Sequence, residues 1–198
     1  MQSFYSPTAR ALQDQFDTRR LADRLVEVKV HDRFTPDDRA FLECADMFFL
    51  ASVDPNGQPT CSYKGGDPGF ITVVDDTTIA FPNYDGNGMY LSMGNVDGTH
   101  RVGILVIDFE RQRRIRIEGI AEIRHEDPLR RRYPEAQFVV RVRAERIYPN
   151  CPRYIHKYQL VERSRFVPHV GSTTPVPDWK RTDWASDVLP AGDPARGL

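Results

Sequence analysis

Apolar residues recur along the first third of the chain at helical spacing. Between Thr8 and Val30, Leu12, Phe16, Leu21, Leu25 and Val28 stand among charged residues, which predicts one amphipathic helix with a strongly solvated face. A second helix is marked at its start: Thr35 is a good N-cap, Pro36 suits the first helical position, and Asp37 and Asp38 lie near the positive end of the helix dipole. It is expected to run to about Ala45. From Met47 the period shortens to that of strands. "MFFLASVDPNGQPTCSYKGG" reads as apolar run, turn, second run, and "GFITVVDDTTIAF" repeats the pattern around "DD", each a hairpin signal. "FPNYDGNGMYLSMGN", Phe81 to Asn95, reads as a strand end, a glycine-bearing turn and a short helix. "VGILVIDF" is almost continuously apolar and predicts a fully buried strand, whereas "RRIRIEGIAEI" alternates, leaving one face wet or turned to a partner. "AQFVVRVRAERIYP" is the last long strand, and "NCPRYI" reads as a turn with a short helix.

Six or seven strands joined by hairpins, with helices at the start and at one corner, predict an α+β arrangement around an antiparallel β-barrel. The expected division is a helical segment, 1–45, packed on the barrel, the barrel itself, 46–163, and a tail, 164–198. The tail is rich in proline with few apolar anchors, so it is expected to lie extended over the surface or to be partly disordered.

Composition narrows the function classes. The 198 residues carry a formal net charge of −1, so no global field steers the chain toward nucleic acid or anionic lipid. The three cysteines, Cys44, Cys61 and Cys151, are odd in number and far apart, which argues against a disulfide framework and fits a cytoplasmic protein. No apolar run has signal-peptide or membrane-spanning length. No Walker loop, G-x-S-x-G or G-x-G-x-x-G after a strand is present, and the five histidines show no metal-ligand spacing.

Four stretches put polar chemistry beside strand ends. In "CSYKGG", Lys64 ends a strand before two glycines. It reads either as a solvated strand-end lysine or as an anion contact to which Gly65 and Gly66 allow close backbone approach. "FPNYDGNG" is either a plain helix entry or a cradle of backbone N–H groups for an anionic ligand. "RQRRIRIEG" is a charged strand face. In "NCPRYIHKY", Cys151 and His156 suggest a nucleophile and base, but no third group is evident, and a cysteine before proline is more often a packed residue.

The order of these pieces, "FFLASVDPNGQPTCSYKGG", "IAFPNYDGNGMYLSMGNV", "RVGILVIDF" and "RIRIEGIAEI", resembles the pyridoxamine 5′-phosphate oxidase-like superfamily of flavin-binding split β-barrels. The resemblance runs from about Ala40 to Ile155 and is to a branch distinct from the vitamin B6 oxidase. It implies FMN held at a homodimer interface by the second strand, with Ser62, Tyr63 and Lys64, and by the corner, with Asn83, Tyr84, Asn87 and Asn95. Lys64, Asn83 and Asn95 fall on the lysine and asparagines of the family pattern. Other positions depart from it. Gly86, Asn87 and Gly88 stand where the oxidase pattern has serine, arginine and lysine, Pro59 where it has an arginine, and Arg114 where it has a glutamine. Two phosphate cations are therefore missing, and Arg114 and Arg153 are the candidates to replace them. The resemblance implies an FMN-dependent oxidoreductase acting through hydride transfer at flavin N5. The alternative on the same fold is a non-catalytic dimeric protein that binds flavin, deazaflavin or haem.

Overall fold

The computed structural model describes residues 3–196. These divide into two units, one ending at Gln159 and the other beginning at Leu160. In the first, three helices, α1 (Pro7–Gln15), α2 (Arg19–Lys29) and α3 (Pro36–Cys44), precede β1 (Met47–Val53), β2 (Pro59–Gly65), the two-residue β3 (Thr72–Val73) and β4 (Thr78–Asn83). Helix α4 (Leu91–Thr99) then leads to β5 (Arg101–Asp108), β6 (Arg113–Arg124) and β7 (Phe138–Pro149).

The seven strands form one antiparallel sheet in the order β2-β1-β5-β6-β7-β4-β3. β1 and β4 stand four strands apart in that order, roughly 19 Å at the usual interstrand spacing. Yet the rings of Phe48 on β1 and Phe81 on β4 meet edge to face at 4.9 Å. The sheet therefore curls until its inner face closes on itself, while its edges β2 and β3 stay unpaired with each other. This is the α+β split barrel expected from the sequence. Phe48, Leu50, Ile79, Phe81, Ile104, Val106, Ile117, Val140, Val142 and Ile147 fill it, and Val96 of α4 is fully buried.

The sequence explains α3 well. Thr35 accepts from the Asp38 N–H, the Asp38 carboxylate accepts from the Thr35 N–H, and Pro36 occupies the first turn. The "DPNG" turn is equally local: Asp54 Oδ1 accepts from Asn56 N and Gln58 N, each at 2.8 Å, and Gly57 takes a positive φ of 86°.

Five expectations need correction. The helix over 8–30 is two helices, broken where Asp17 adopts φ 52°. Aspartate tolerates this left-handed conformation better than most residues, and the chain reverses where the apolar spacing stretches to five residues, from Phe16 to Leu21. Of the N-terminal segment, α3 buries Leu42, whereas α1 buries no residue and α2 only Ala22. "VGILVIDF" is buried on alternate residues only, because one face of β5 meets the barrel interior while Gly103, Leu105 and Ile107 on the other are only half-buried. "NCPRYI" is a turn, closed by Ile155 N to Pro152 O at 2.8 Å, and no helix forms.

The fifth concerns the tail. From Leu160 onward the chain forms a unit of its own, with 3-10 turns at Asp178–Arg181 and Ser186–Val188. Lys180 Nζ meets Asp193 Oδ2 at 2.6 Å with both side chains buried, and the indoles of Trp179 and Trp184 stack. A buried ion pair and an aromatic stack supply anchors that apolar counting overlooks.

Candidate functional site

Strand register decides which residues of "CSYKGG" face inward. Lys64 lies opposite Phe48, Ser62 opposite Leu50 and Thr60 opposite Ser52, and all three β1 partners are buried. Thr60, Ser62 and Lys64 therefore share the inner face. Tyr63, opposite the half-buried Phe49, points outward and is 62% exposed. Its ring folds back along the strand over Gly65, where an added Cβ would meet Tyr63 Cε1 at 2.8 Å. A side chain at position 65 would therefore displace the exposed Tyr63 ring.

α4 sits against this inner face and is tied to it by side chains. Ser92 Oγ donates to Ser62 Oγ at 2.9 Å. The Asn95 amide donates to Ser52 Oγ at 3.2 Å and Thr60 Oγ1 at 3.3 Å. Asn95 is buried and holds the helix on β1 and β2. Asn83 is buried too, and its Nδ2 donates to Gln137 Oε1 at 2.9 Å, the oxygen that also accepts from Tyr90 Oη at 3.0 Å. Tyr90 takes φ 50° as the N-cap of α4. A bulky residue in that region is a strained one, and its hydroxyl contact to Gln137 fixes it there. The two family asparagines are therefore occupied within the fold, and Gln137, Tyr90 and Ser92, absent from the sequence reading, join them. Gln137 lies 54 residues from Asn83 in sequence, and no local pattern marks it.

The "DGNG" turn, residues 85–88, is exposed. It does not open the helix as expected, since Met89 and Tyr90 intervene before Leu91. Asn87 Oδ1 accepts from Met89 N at 3.1 Å, and Gly88 takes φ 74°, so both serve the turn. Tyr84 is half-buried beside Ala80, Tyr133 and Val139. Burial, with Tyr133 and Asp67 nearby, pushes its hydroxyl up to about 12.

Lys64 differs from all of these. It is half-buried on the inner face, one step along the strand from Ser62. Among the described residues it has no hydrogen-bond or ion-pair partner. Burial holds its ammonium below the ordinary lysine range. A cation left half-dehydrated with no counter-charge is an unfavourable arrangement that an anion would relieve.

Arg114 and Arg153 lie elsewhere in the chain. Arg114 opens β6 on the sheet's outer face, paired with Ile107. That is three strands from β2, and the length of β7 away from Asn83, which pairs with Phe138. Its Nη2 donates to Cys151 O at 2.7 Å, while its Nε is buried without a partner. Gln112 Nε2 donates to Ile155 O at 2.7 Å. Together these bonds lace the "NCPRYI" turn to the start of β6, around a cavity of about 140 Å³ lined by Asp38, Phe41, Arg113, Arg114, Asn150 and Pro152. Arg153 is exposed on that turn. A single chain does not bring these arginines to Lys64.

No group of three or more histidine, cysteine or acidic side chains among the described residues could hold a metal ion. No helix among them is long and apolar enough to cross a membrane.

A curled antiparallel barrel of this topology defines a class of protein, and comparison with known proteins gives its family. The family profile described as Pyridoxamine 5'-phosphate oxidase matches residues 34–164, more than half of the chain. The chain belongs to that family. No match was found among curated proteins. Similar solved structures include HupZ from Group A Streptococcus, 22% identical over 59% of this chain and 93% of that one, with a TM-score of 0.47. HutZ, the heme storage protein from Vibrio cholerae, is 15% identical over 59% and 94%, with a TM-score of 0.43. An FMN-binding protein from Syntrophomonas wolfei is 15% identical over 68% and 97%, with a TM-score of 0.42. None of these three likenesses carries an inference about chemistry.

Proposed function

We propose that the chain is an FMN-dependent oxidoreductase that works as a homodimer. The observation that carries this reading is Lys64: half-buried, facing inward, unpaired among the described residues, and held below the usual lysine range by burial. Such a group fits the FMN phosphate, which brings close to two negative charges. The exposed backbone of residues 85–88 is open to the same ligand. Ser62 and Ser92, bonded to each other, hold α4 on β2 and fix the wall beside Lys64. When bound, the flavin would exchange a hydride with the substrate at its N5. The protein's part is to bind and orient it, and the Gln137–Asn83–Tyr90 cluster keeps the corner in place.

The dimer reading rests on the outer sheet face. A row of outward residues crosses β2, β1, β5, β6 and β7 as Tyr63, Phe49, Leu105, Arg116 and Tyr148. Beside it run Cys61, Ala51 and Gly103. Ala51, Cys61, Tyr63 and Arg116 on this face are exposed, and a second copy related by a two-fold axis would cover it. Arg114, at the end of the same face, then belongs to the partner's cofactor site, with Arg153 beside it. Gly86, Asn87 and Gly88, which supply no cation to the 85–88 turn, favour a second reading, a non-catalytic binder of a flavin, deazaflavin or haem.

The test is the absorbance spectrum of the purified protein, followed by extraction and mass measurement of any ligand and titration of ligand-free protein with FMN. Flavin absorbance, an FMN mass and reduction of the bound flavin by a nicotinamide or other hydride donor are expected. A protein that neither carries nor binds FMN overturns the reading, and a haem or deazaflavin mass moves it to the second.

A further inference from the structure

The hairpin of α1 and α2 carries an apolar stripe that its own chain leaves in solvent. Leu12 and Phe16 are 55% and 69% exposed, and Leu21, Leu25 and Val28 are 61%, 47% and 57% exposed. Spacings of three and four residues put each set on one helix face. The hairpin is nevertheless no loose arm, because both its ends are fastened to β7. Before α1, the Phe4 ring meets Tyr148 edge to face at 5.4 Å, and the Arg146 guanidinium lies over Phe4 at 5.1 Å. The next residue joins the two helices, with Tyr5 Oη donating to Ala22 O at 3.1 Å. After α2, His31 exchanges two backbone hydrogen bonds with Ile147, at 3.0 and 2.7 Å.

Tyr148 is also the last residue of the outward row that begins at Tyr63. The uncovered helix stripe is therefore rooted where the uncovered sheet face ends. We propose that the hairpin clasps a second copy of this chain: the α1–α2 stripe of one protomer lies on its partner, continuous with the sheet-face interface, and the two-fold axis repeats the contact in the other direction. This rests on the dimer reading above.

Two observations select a second copy over a lipid surface. Both uncovered apolar surfaces belong to one chain and adjoin at β7, so one isologous contact covers both. The charges of the hairpin are mixed and largely paired within it. Arg10 meets Asp23 at 2.6 Å, Arg19 meets Asp14 at 2.5 Å, and Arg24 meets Glu27 at 3.0 Å. An interfacial membrane helix instead presents a basic face free to meet anionic headgroups.

The experiment compares wild type, the double variant Phe16→Ser/Leu25→Ser and the sheet-face variant Ala51→Glu by analytical ultracentrifugation, with circular dichroism to confirm folding. All three positions are exposed, so the fold is expected to stand. The double variant is expected to raise the dimer dissociation constant at least about tenfold, or roughly 1.4 kcal/mol, and Ala51→Glu to abolish the dimer. A monomeric wild type, or a dimer indifferent to Ala51→Glu, overturns the sheet-face reading and the clasp with it. A dimer broken by Ala51→Glu but indifferent to the double variant overturns the clasp alone. As a second measurement, a photo-cross-linking residue replaces Phe16 in mixed isotopically light and heavy protein. Light-to-heavy cross-links are expected, and links confined to single chains overturn the clasp. Binding of wild type to phosphatidylcholine–phosphatidylglycerol vesicles that is lost in the double variant, with the dimer unchanged, also overturns it and gives the stripe to lipid.

Discussion

Replacing Lys64 tests whether an unpaired cation has been kept for a ligand. Lys64→Ala removes a side chain with no polar partner among the described residues, so the free fold loses only the packing of the aliphatic stem, about 0.5 kcal/mol or less. Binding should lose far more. A charge-assisted hydrogen bond to phosphate is worth about 1.5–3 kcal/mol, so the FMN dissociation constant should rise about 10- to 150-fold. Titration of ligand-free protein, followed by quenching of flavin fluorescence, measures it. The pH dependence sharpens the test. Burial lowers the lysine's proton affinity in the free protein, and a neighbouring phosphate raises it again. Below the free-protein pKa, the ammonium is charged with or without ligand and binding takes up no proton here. Between the free and bound values, binding takes up a proton, and affinity falls as pH rises through that window. Calorimetry in buffers of different ionisation enthalpy reads this uptake directly, and Lys64→Met should abolish it. The sign for the free fold is the reverse of that for a stabilising pair: a lysine lowered by burial penalises folding most below its folded pKa, and the penalty vanishes above its unfolded value. Lys64→Met should therefore leave the free protein's Tm at neutral pH unchanged or raised. FMN affinity within about twofold of wild type in Lys64→Ala, or a clear fall in Tm in Lys64→Met, refutes the assignment.

Three further outcomes concern the scaffold. Asn95→Ala leaves the buried Ser52 hydroxyl and Thr60 without the amide that joins them to α4, and should cost about 1–3 kcal/mol in urea unfolding. Gly119→Ala places a Cβ 2.3 Å from the Arg143 carbonyl oxygen at the β6–β7 bulge; backbone cannot yield as a side chain can, and a loss of at least about 1–3 kcal/mol is expected by the same measurement. Asp127 Oδ2 accepts from Arg141 Nε at 2.5 Å with its side chain almost wholly buried, and this bond holds its carboxyl below the usual range against the opposing effect of burial. The stabilisation is complete above the unfolded aspartate value of about 3.9 and drains as pH falls through the folded one, so Asp127→Asn should flatten the acid limb of a Tm–pH curve while lowering Tm at neutral pH.

Where local chemistry settles a conformation, the sequence is readable. Thr35, Pro36 and Asp38 define the start of α3 by hydrogen bonds that span three residues, and Asp54 with Gly57 does the same for the first hairpin. Where the outcome depends on distant partners, it is not. Across "DQFDTRR" the apolar spacing stretches to five residues with no glycine or proline to mark a break, yet the chain turns at Asp17 and α2 is fastened to β7 through His31. The apolar run of β5 reads as a doubly covered strand, yet only alternate residues are buried, because apolarity alone does not say whether a layer of the chain lies over each face. "NCPRYI" reads as a turn with a short helix, but Arg114 and Gln112 donate to its carbonyl oxygens and it is a turn alone.

The candidate site follows the same rule. Matching a family pattern identifies positions, and the hydrogen-bond inventory then separates what the fold consumes from what it leaves available. Asn83 and Asn95 match the pattern, and each is buried with its amide donating to neighbouring side chains. Losing either should weaken the cofactor only through the corner it holds. Lys64 matches the pattern, is half-buried and donates to nothing among the described residues. An uncompensated charge in a partly dehydrated position is destabilising in the free protein, and a ligand anion turns that cost into affinity. If FMN binds as proposed, the missing cations in the 85–88 turn make this lysine matter more, because one ammonium would then carry a larger share of the phosphate charge within its own chain. The remainder would fall to backbone N–H groups of that turn or to Arg114 and Arg153 of a second protomer. Glutamine replacements at the two arginines distinguish these: if the dimer supplies the charge, they weaken FMN binding, and the effect disappears in an Ala51→Glu monomer. If the backbone supplies it, affinity stays within about twofold in every form.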